Sequence, residues 1–168
     1  MTNTRIRWAT ESDAALIVHF VRALAAYEKE PLENVLITEA DVLRDGFGTP
    51  RRFEVLIAEI DGKPAGFTLF FPRFSTWQGR HGLYIEDIFV DESARGTGLG
   101  RKIIAAVAKI AQARGCARID LSVLKWNPAR GFYNRLGFDH AEPWMSYRLG
   151  ESHFAGLADE AAEFSLEH

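Results

Sequence analysis

The sequence contains almost no cysteine and has neither a long apolar run nor a recognisable leader segment. Cys116 is the one cysteine among 168 residues, so no disulfide can form within the chain and a reducing compartment is the simpler expectation. No apolar run approaches the roughly 20 residues of a membrane span. The opening residues, MTNTRIRWAT, lack the apolar core of a signal peptide. We therefore expect a cytoplasmic protein without a membrane partner.

The sequence also lacks the charge and the side-chain clusters that point to nucleic acid or metal. A formal net charge of −3 gives no broad attraction to nucleic acid. The five histidines show no metal-ligand spacing. Neither a nucleophile elbow nor a cysteine–histidine signature is present. We expect no nucleic-acid partner and no metal cofactor.

The composition is that of an ordinary globular domain. Hydrophobic residues make up 47% of the chain and charged residues 26%, which is the usual balance. A chain of 168 residues is most simply one domain. We assign that domain to residues 4–150 and a tail to residues 151–165. Residues 166–168, Leu-Glu-His, resemble the start of a purification tag and take no part in the functional argument.

Periodicity and turn residues predict a mixed α/β domain. Helices are expected after Ser12-Asp13, after Thr38, from about 98 to 115 and from 127 to 137, where Asn127 or its neighbour is the cap. Strands are expected over 4–8, a hairpin over 53–71 that turns at Asp61-Gly62, and over 82–90, 117–124 and 144–149. The tail from Glu151 to Phe164 has a weak helical pattern.

A glycine-rich loop, RGTGLG at residues 95–100, links the 82–90 strand to the following helix. It lacks the lysine and hydroxyl residue of a P-loop. Its third glycine comes one residue too early for a dinucleotide-binding fingerprint. Successive glycines at a helix start can turn backbone N–H groups toward an anion, and Arg95 and Arg101 flank the loop. The loop alone therefore predicts either a pyrophosphate cradle or a tight turn that happens to use glycines.

Longer motifs carry a family resemblance. The segment IEDIFVDESARGTGLG resembles the acetyl-CoA-binding motif of the GNAT N-acetyltransferases. The segments LITEADVLRDGFG, STWQGRHGLYIEDIFV and VLKWNPARGFYNRLGF are similar to the branch that holds the diamine (spermidine/spermine) and thialysine N-acetyltransferases. The resemblance covers residues 4–150. It implies an α/β fold with a central, mostly antiparallel mixed sheet that is splayed at the cofactor strand and flanked by helices.

The resemblance implies where acetyl-CoA binds. The exposed backbone of Ile88, Phe89 and Val90 is expected to pair with the pantetheine arm and to hold the acetyl carbonyl. The pyrophosphate is expected beside Arg95, on the N–H groups of Gly96, Thr97, Gly98, Leu99, Gly100 and Arg101. Asn127 is carried over as a further cofactor contact, although the segment from it to Tyr133 is one residue shorter than the family's usual spacing.

The resemblance also implies two catalytic residues. An alkyl ammonium has a pKa of about 10.4 and must lose its proton to become a nucleophile. Glu86 matches the carboxylate that binds the amine and helps to remove that proton, directly or through water. The other interpretation of Glu86 is a strand carboxylate paired with an arginine. Tyr133 matches the general acid for the departing thiolate, and its other interpretation is a core aromatic.

Acceptor-lining residues follow from the same branch, and they combine carboxylates with aromatic rings, as a cationic amine requires. With Glu86, they are Tyr27, Glu28, Trp77, Asp120, Ser122, Glu142 and Trp144. No acid immediately precedes Trp77, whereas an aspartate stands there in the spermidine/spermine enzymes. This departure is more like the thialysine group and favours a short amine that carries its own carboxylate.

The function implied is direct acetyl transfer from acetyl-CoA to a small primary amine, without an acyl-enzyme. Homodimers are usual in this branch. Three alternatives stay open at this point: a different acceptor such as a protein lysine or an aminoglycoside, a CoA-binding sensor without chemistry, and a purely structural interaction module. Retention of both Glu86 and Tyr133 argues against the sensor.

Overall fold

A computed structural model describes residues 3–142, 144–161 and 164–166. The chain forms two compact units, one running through Arg130 and the other from Gly131 onward. The first unit holds the whole sheet, and each unit is described by itself. In the described part of the chain, no helix has the length and apolarity to cross a membrane.

A five-stranded sheet with the order β1-β2-β3-β4-β5 organises the first unit. The first four strands are antiparallel, whereas β5 runs parallel to β4. This arrangement confirms the mostly antiparallel mixed sheet. The strands are β1 Thr4–Trp8, β2 Glu54–Ile60, β3 Lys63–Ser75, β4 Arg80–Val90 and β5 Ile119–Leu121.

The β2–β3 hairpin turns where the sequence predicts it. Asp61 has a φ of 50° and Gly62 a φ of 77°, so both central residues are left-handed. A two-residue turn of this kind matches the right-handed twist of the strands that it joins. Nothing lies within 4 Å of the position that a side chain on Gly62 would take.

The described residues form five α-helices. They are α1 Ala14–Tyr27, α2 Glu39–Val42, α3 Leu99–Ala113, α4 Ala129–Arg135 and α5 Phe154–Asp159, and α4 spans the boundary of the two units. Thr38 caps α2 as predicted, since its hydroxyl accepts a bond from the Asp41 N–H at 3.2 Å. A short π-helical segment, Leu43–Phe47, continues α2.

The core is divided by the sheet into two layers. On one face, Phe20 of α1 stacks on Phe67 of β3 with ring centroids 5.4 Å apart. On the other face, Leu99 and Ile103 of α3 pack against Ala58 of β2 and its apolar neighbours. The loop between β4 and α3 therefore carries the chain from the end of β4 to the face that α3 covers.

A buried charge network ties β1, β2 and the start of α1 together. The Arg7 guanidinium donates two bonds to Asp13, of 2.8 and 2.9 Å, and one bond of 2.6 Å to Glu59. Asp13 and Glu59 are both buried. Asp13 also accepts bonds from the N–H and the hydroxyl of Thr10. The Arg7 bonds, followed by the Thr10 bonds, hold the pKa of Asp13 at about 2 against the cost of burial.

Two strand predictions fail in part or in full. The strand expected over 117–124 is limited to Ile119–Leu121, since only these residues pair with β4. The strand expected over 144–149 is wrong: these residues have no ladder partner in the described chain, and Trp144 and Tyr147 are 68% and 89% exposed. The tail helix exists but is short, and the last two residues of the tag-like ending, Glu167 and His168, lie outside the described residues.

Candidate active site

Glu86 lies at a β-bulge in the middle of β4. Leu69 of β3 pairs with Asp87, and the next residue, Phe70, pairs with Ile85, so Glu86 is the extra residue. A bulge bends its strand and redirects a side chain, and bulges are common beside active sites. Ile85 is buried, whereas Glu86 is exposed. The bulge therefore presents the Glu86 carboxylate to solvent directly after the buried Ile85.

The same place is where β4 loses its second neighbour. The β4–β5 ladder ends at the pair Ile85↔Leu121. Within the described chain, residues 87–90 of β4 pair only with β3. One edge of Ile88, Phe89 and Val90 is thus open, as the splayed strand of the resembling family requires.

Asp87 is a candidate that the sequence analysis did not select. It lies beside the bulge, opposite the buried Leu69. Burial raises the pKa of Asp87 to about 6, and the nearby charges of Glu86 and Glu28 add to the effect. Burial also raises the pKa of Glu28, with a further contribution from Glu30. Neighbouring carboxyls whose pKa values are raised by burial and by one another's charge are typical of functional sites. The only signal in the sequence was a second acid within an apolar strand.

The glycine loop has the backbone that an anion site needs. Gly96 and Gly98 have φ angles of 77° and 82°, and Gly98 is the N-cap residue of α3. No described residue accepts a hydrogen bond from the N–H groups of Gly96 through Arg101. No atom lies within 4 Å of a Cβ built on either glycine. A pyrophosphate fits such an array of free donors at a helix start.

Arg95 does not simply flank the loop with positive charge. Its guanidinium carbon lies 4.5 Å from the ring centroid of Tyr27 and 6.0 Å from that of Phe89. Its Nε also donates to the carbonyl oxygen of Val90 at 3.2 Å. Arg95 therefore connects a predicted acceptor residue to the predicted cofactor strand. Arg101 is exposed, and no described carboxylate pairs with it.

Asn127 has a structural task at the start of α4. Its Oδ1 accepts a bond of 2.9 Å from the Ala129 N–H and one of 3.5 Å from the Tyr27 hydroxyl. The residue is buried. The predicted cap is confirmed, and it also orients Tyr27. A cofactor contact of Asn127 stays a prediction.

The other acceptor candidates of the first unit are spread along the sheet. Asp120 is paired with Arg118 at 2.8 Å, and the Ser122 hydroxyl lies 2.7 Å from the Tyr84 hydroxyl. Trp77 lies at the tip of the β3–β4 hairpin and is 84% exposed. At about 3.4 Å per residue, the strand from Arg80 to Glu86 alone spans roughly 20 Å. The structure thus brings Tyr27 and Glu28 toward β4 but leaves Trp77 far along the hairpin.

The second unit contains the remaining candidates. Tyr133 is buried on α4, and its ring lies 5.3 Å from that of Phe132 and 5.7 Å from that of Phe138. Glu142 pairs with His140 at 3.1 Å, and Trp144 is exposed. Across the described residues, no three metal-ligating side chains form a group.

Comparisons with known proteins show which family the chain belongs to. The sequence model of the acetyltransferase (GNAT) family matches residues 20–138. The thialysine N-epsilon-acetyltransferase of Mus musculus is 41% identical over 161 residues, which cover 89% of this chain and 94% of that protein. The spermidine/spermine N(1)-acetyltransferase-like protein 1 of Homo sapiens is 31% identical over 167 residues, which cover 93% of this chain and 24% of that protein.

A solved structure shares the fold. The integron cassette protein VCH_CASS6 of V. cholerae superposes with a TM-score of 0.75, covers 92% of this chain and 97% of that one, and is 24% identical. The chain belongs to the GNAT acetyltransferase family. It is an acetyl-CoA-dependent N-acetyltransferase, and it acts on a small amine.

Proposed function

We propose that the acceptor is a short primary amine that carries its own carboxylate, of the thialysine type. The observation that carries this proposal is the bulge in β4, which sets Glu86 beside Asp87, a carboxyl that the charge of Glu28 also reaches. These carboxylates suit the cationic end of an amine. The name of the mouse relative and the missing acid before Trp77 support a short amino acid over a long polyamine.

Glu86 accepts the proton that the ammonium must lose before its nitrogen attacks. Asp87, whose pKa is about 6, is the second group that can take up or pass on a proton at this point. The open edge of Ile88, Phe89 and Val90 offers backbone N–H groups to the acetyl carbonyl oxygen, where negative charge develops. The new N–C bond forms as the C–S bond of the thioester breaks.

The cofactor is held by the chain's own backbone. Bound acetyl-CoA supplies the acetyl group as a reactive thioester. The N–H groups from Gly96 to Arg101 bind its pyrophosphate, and the charge of Arg101 adds to the attraction. The absence of a metal stays a prediction, as do a cytoplasmic location and the lack of a nucleic-acid partner.

A homodimer is part of the proposal. Phe74 and Trp77 are 65% and 84% exposed at the same end of the β3–β4 hairpin. Large apolar side chains that cluster on a surface mark interaction sites. Light scattering on the purified protein measures the mass directly, and a monomer at all concentrations would remove this part of the proposal.

The decisive test is thiol release from acetyl-CoA with thialysine, lysine, putrescine and spermidine as parallel acceptors. We expect the highest kcat/KM with thialysine. A preference for spermidine would assign the chain to the polyamine enzymes instead. Turnover with none of the four, although acetyl-CoA binds, would place the acceptor outside this group of amines.

Replacing Tyr133 tests the predicted general acid. Tyr133→Phe removes the hydroxyl but keeps the ring that contacts Phe132 and Phe138. We expect kcat to fall on the order of 100-fold, the size typical of general acid catalysis. The affinity for acetyl-CoA should not change. Tyr147→Phe, on an exposed ring, is the matched control. Equal kcat in both variants would remove Tyr133 from the mechanism.

A further inference from the structure

The C-terminal end of α1 has an unusual residue at its turn. Lys29 has a φ of 62°, in the left-handed region that normally belongs to glycine at this position of a helix end. The Lys29 N–H bonds to the Ala26 carbonyl at 3.2 Å and the Glu30 N–H to the Ala25 carbonyl at 2.9 Å. These bonds define the six-to-one and five-to-two closure of a Schellman motif. A lysine there costs about 1 kcal/mol that glycine would avoid.

The Lys29 side chain is held over an aromatic ring. Its Nζ lies 4.8 Å from the ring centroid of Trp126. That ring is 48% exposed and lies 6.2 Å from the ring of Tyr27. Within the described chain, no carboxylate forms an ion pair with Lys29, and the residue is exposed. The favourable field at a helix C-terminus accounts for a cation there, but not for its place on the Trp126 ring. The Trp126 ring therefore gives the ammonium of this exposed residue a defined place.

The residues on either side of Lys29 in the chain are acidic, so charges of both signs lie close together there. Glu28 precedes it and interacts electrostatically with Asp87 beside the bulge. Glu30 follows it and is near enough to Glu28 to affect its charge. At the C-terminal end of α1, Lys29 thus lies between two carboxylates along the chain. A diamine carries only positive charges, whereas an amino acid carries a carboxylate and an ammonium on one carbon atom and can pair with both signs of charge.

We propose that Lys29, held on Trp126, is the residue that recognises the carboxylate of the acceptor. The inference rests on the function proposed above, because it assigns the acceptor class of that same site. Lys29 pairs with the carboxylate, Glu28 or Glu30 faces the neighbouring ammonium, and the far amine reaches toward Glu86. Lys29 then also disfavours diamines and polyamines, because it repels a second cation at the same place.

The experiment compares thialysine with bis(aminoethyl) sulfide, which is the same molecule without its carboxyl group. Both are offered to the wild-type protein, Lys29→Gln and Lys29→Gly with saturating acetyl-CoA. We expect both variants to raise the KM of thialysine about tenfold, which corresponds to about 1.4 kcal/mol. The KM of the sulfide should stay the same or fall. Lys29→Gly also removes the backbone strain, so agreement of the two variants assigns the effect to the charge.

Lys29→Arg keeps the charge and should keep the preference for thialysine. Lys109→Gln, an exposed lysine on α3, is the matched control and should change neither KM. If the Lys29 variants change the KM of both acceptors by the same factor, or change neither, the proposal is wrong, while acetyl transfer to a small amine stands. A wild-type protein that acetylates neither acceptor would overturn both this inference and the function on which it rests.

Discussion

At the scale of single residues, the site depends on carboxyl groups that the fold holds at some cost. Asp87 faces buried Leu69 across the ladder and has the charges of Glu86 and Glu28 nearby. Its pKa of about 6 means that the folded protein resists its ionisation. A cationic amine would relieve that resistance, because an opposite charge favours the ionised form.

Replacing Asp87 with asparagine should stabilise the protein at high pH. The folded pKa of Asp87 lies above its ordinary value, so the stability due to its protonated form is complete below about pH 4 and is lost as the pH rises through about 6. Asp87→Asn should therefore gain on the order of 2 kcal/mol at pH 8 and nothing at pH 4. Denaturant unfolding at both pH values measures this.

The same variant should bind the amine less well, which would be an exchange of stability for function. Asp139→Asn, on an exposed residue of the second unit, is the control and should shift stability little at either pH. A variant of Asp87 that is less stable than the wild type at pH 8 would contradict the pKa argument.

Residue roles were only partly predictable. The spacing around Pro128 gave Asn127 two possible tasks, and its bonds to Ala129 and Tyr27 became visible only in the structure. The contact of Arg95 with Tyr27 joins residues that are far apart in sequence, so no local pattern contains it. Lys29 gave no signal, because a left-handed φ is a property of the backbone and lysine is not the residue that normally marks it.

At the scale of elements, local chemistry predicted the parts with strong signals. The Asp61-Gly62 turn and the Thr38 cap are decided by residues within a few positions of each other, and both are confirmed. The 144–149 strand had only an alternating pattern. A strand also needs a partner with free backbone groups, and whether such a partner is available cannot be predicted from the residues of the strand itself. The bulge at Glu86 was not predicted for the same reason, because a bulge is a property of two paired strands.

The glycine loop allows a test with a matched pair of glycines. Gly98 and Gly62 have similar φ angles of 82° and 77°, and an added Cβ meets nothing at either position. Gly98→Ala and Gly62→Ala should therefore lose similar stability, about 1 kcal/mol each. Only Gly98→Ala should weaken acetyl-CoA binding, by about tenfold, because relaxation of the loop turns its N–H groups away from a common point. Calorimetry measures the affinity, and equal affinity in both variants would exclude the loop from the cofactor site.

At the scale of the whole molecule, the Arg7 network holds three elements of the first unit together. Loss of Arg7 would leave the buried Asp13 and Glu59 without a counter-charge. Removing one partner of such a network is far costlier than replacing all of it with neutral groups.

Arg7→Met should destabilise the protein by about 3 kcal/mol at pH 7. The folded pKa of Asp13, about 2, lies below its ordinary value, so the stability it adds is present above about pH 4 and is lost as the pH falls toward 2. The difference between variant and wild type should therefore shrink from pH 7 to pH 3 in chemical denaturation. Combining Arg7→Met with Asp13→Asn and Glu59→Gln should recover much of the loss.

Arg118→Met removes a more exposed pair and should cost well under 1 kcal/mol. A cost as large as that of Arg7→Met would mean that exposed pairs, and not the buried network, determine the stability of this sheet.

The bulge in β4 also divides the β3–β4 hairpin into an inner and an outer part. Two registers meet there: Phe67 to Leu69 pair with Phe89 to Asp87 on the inner side, and the pairs from Phe70↔Ile85 outward follow a shifted alignment. The inner register alone fixes the direction in which Glu86 leaves the strand. The outer hairpin can therefore lose or gain residues in opposed pairs at its tip without turning the acid away from the site. A change in the length of this hairpin would therefore leave Glu86 and the open edge of β4 in place.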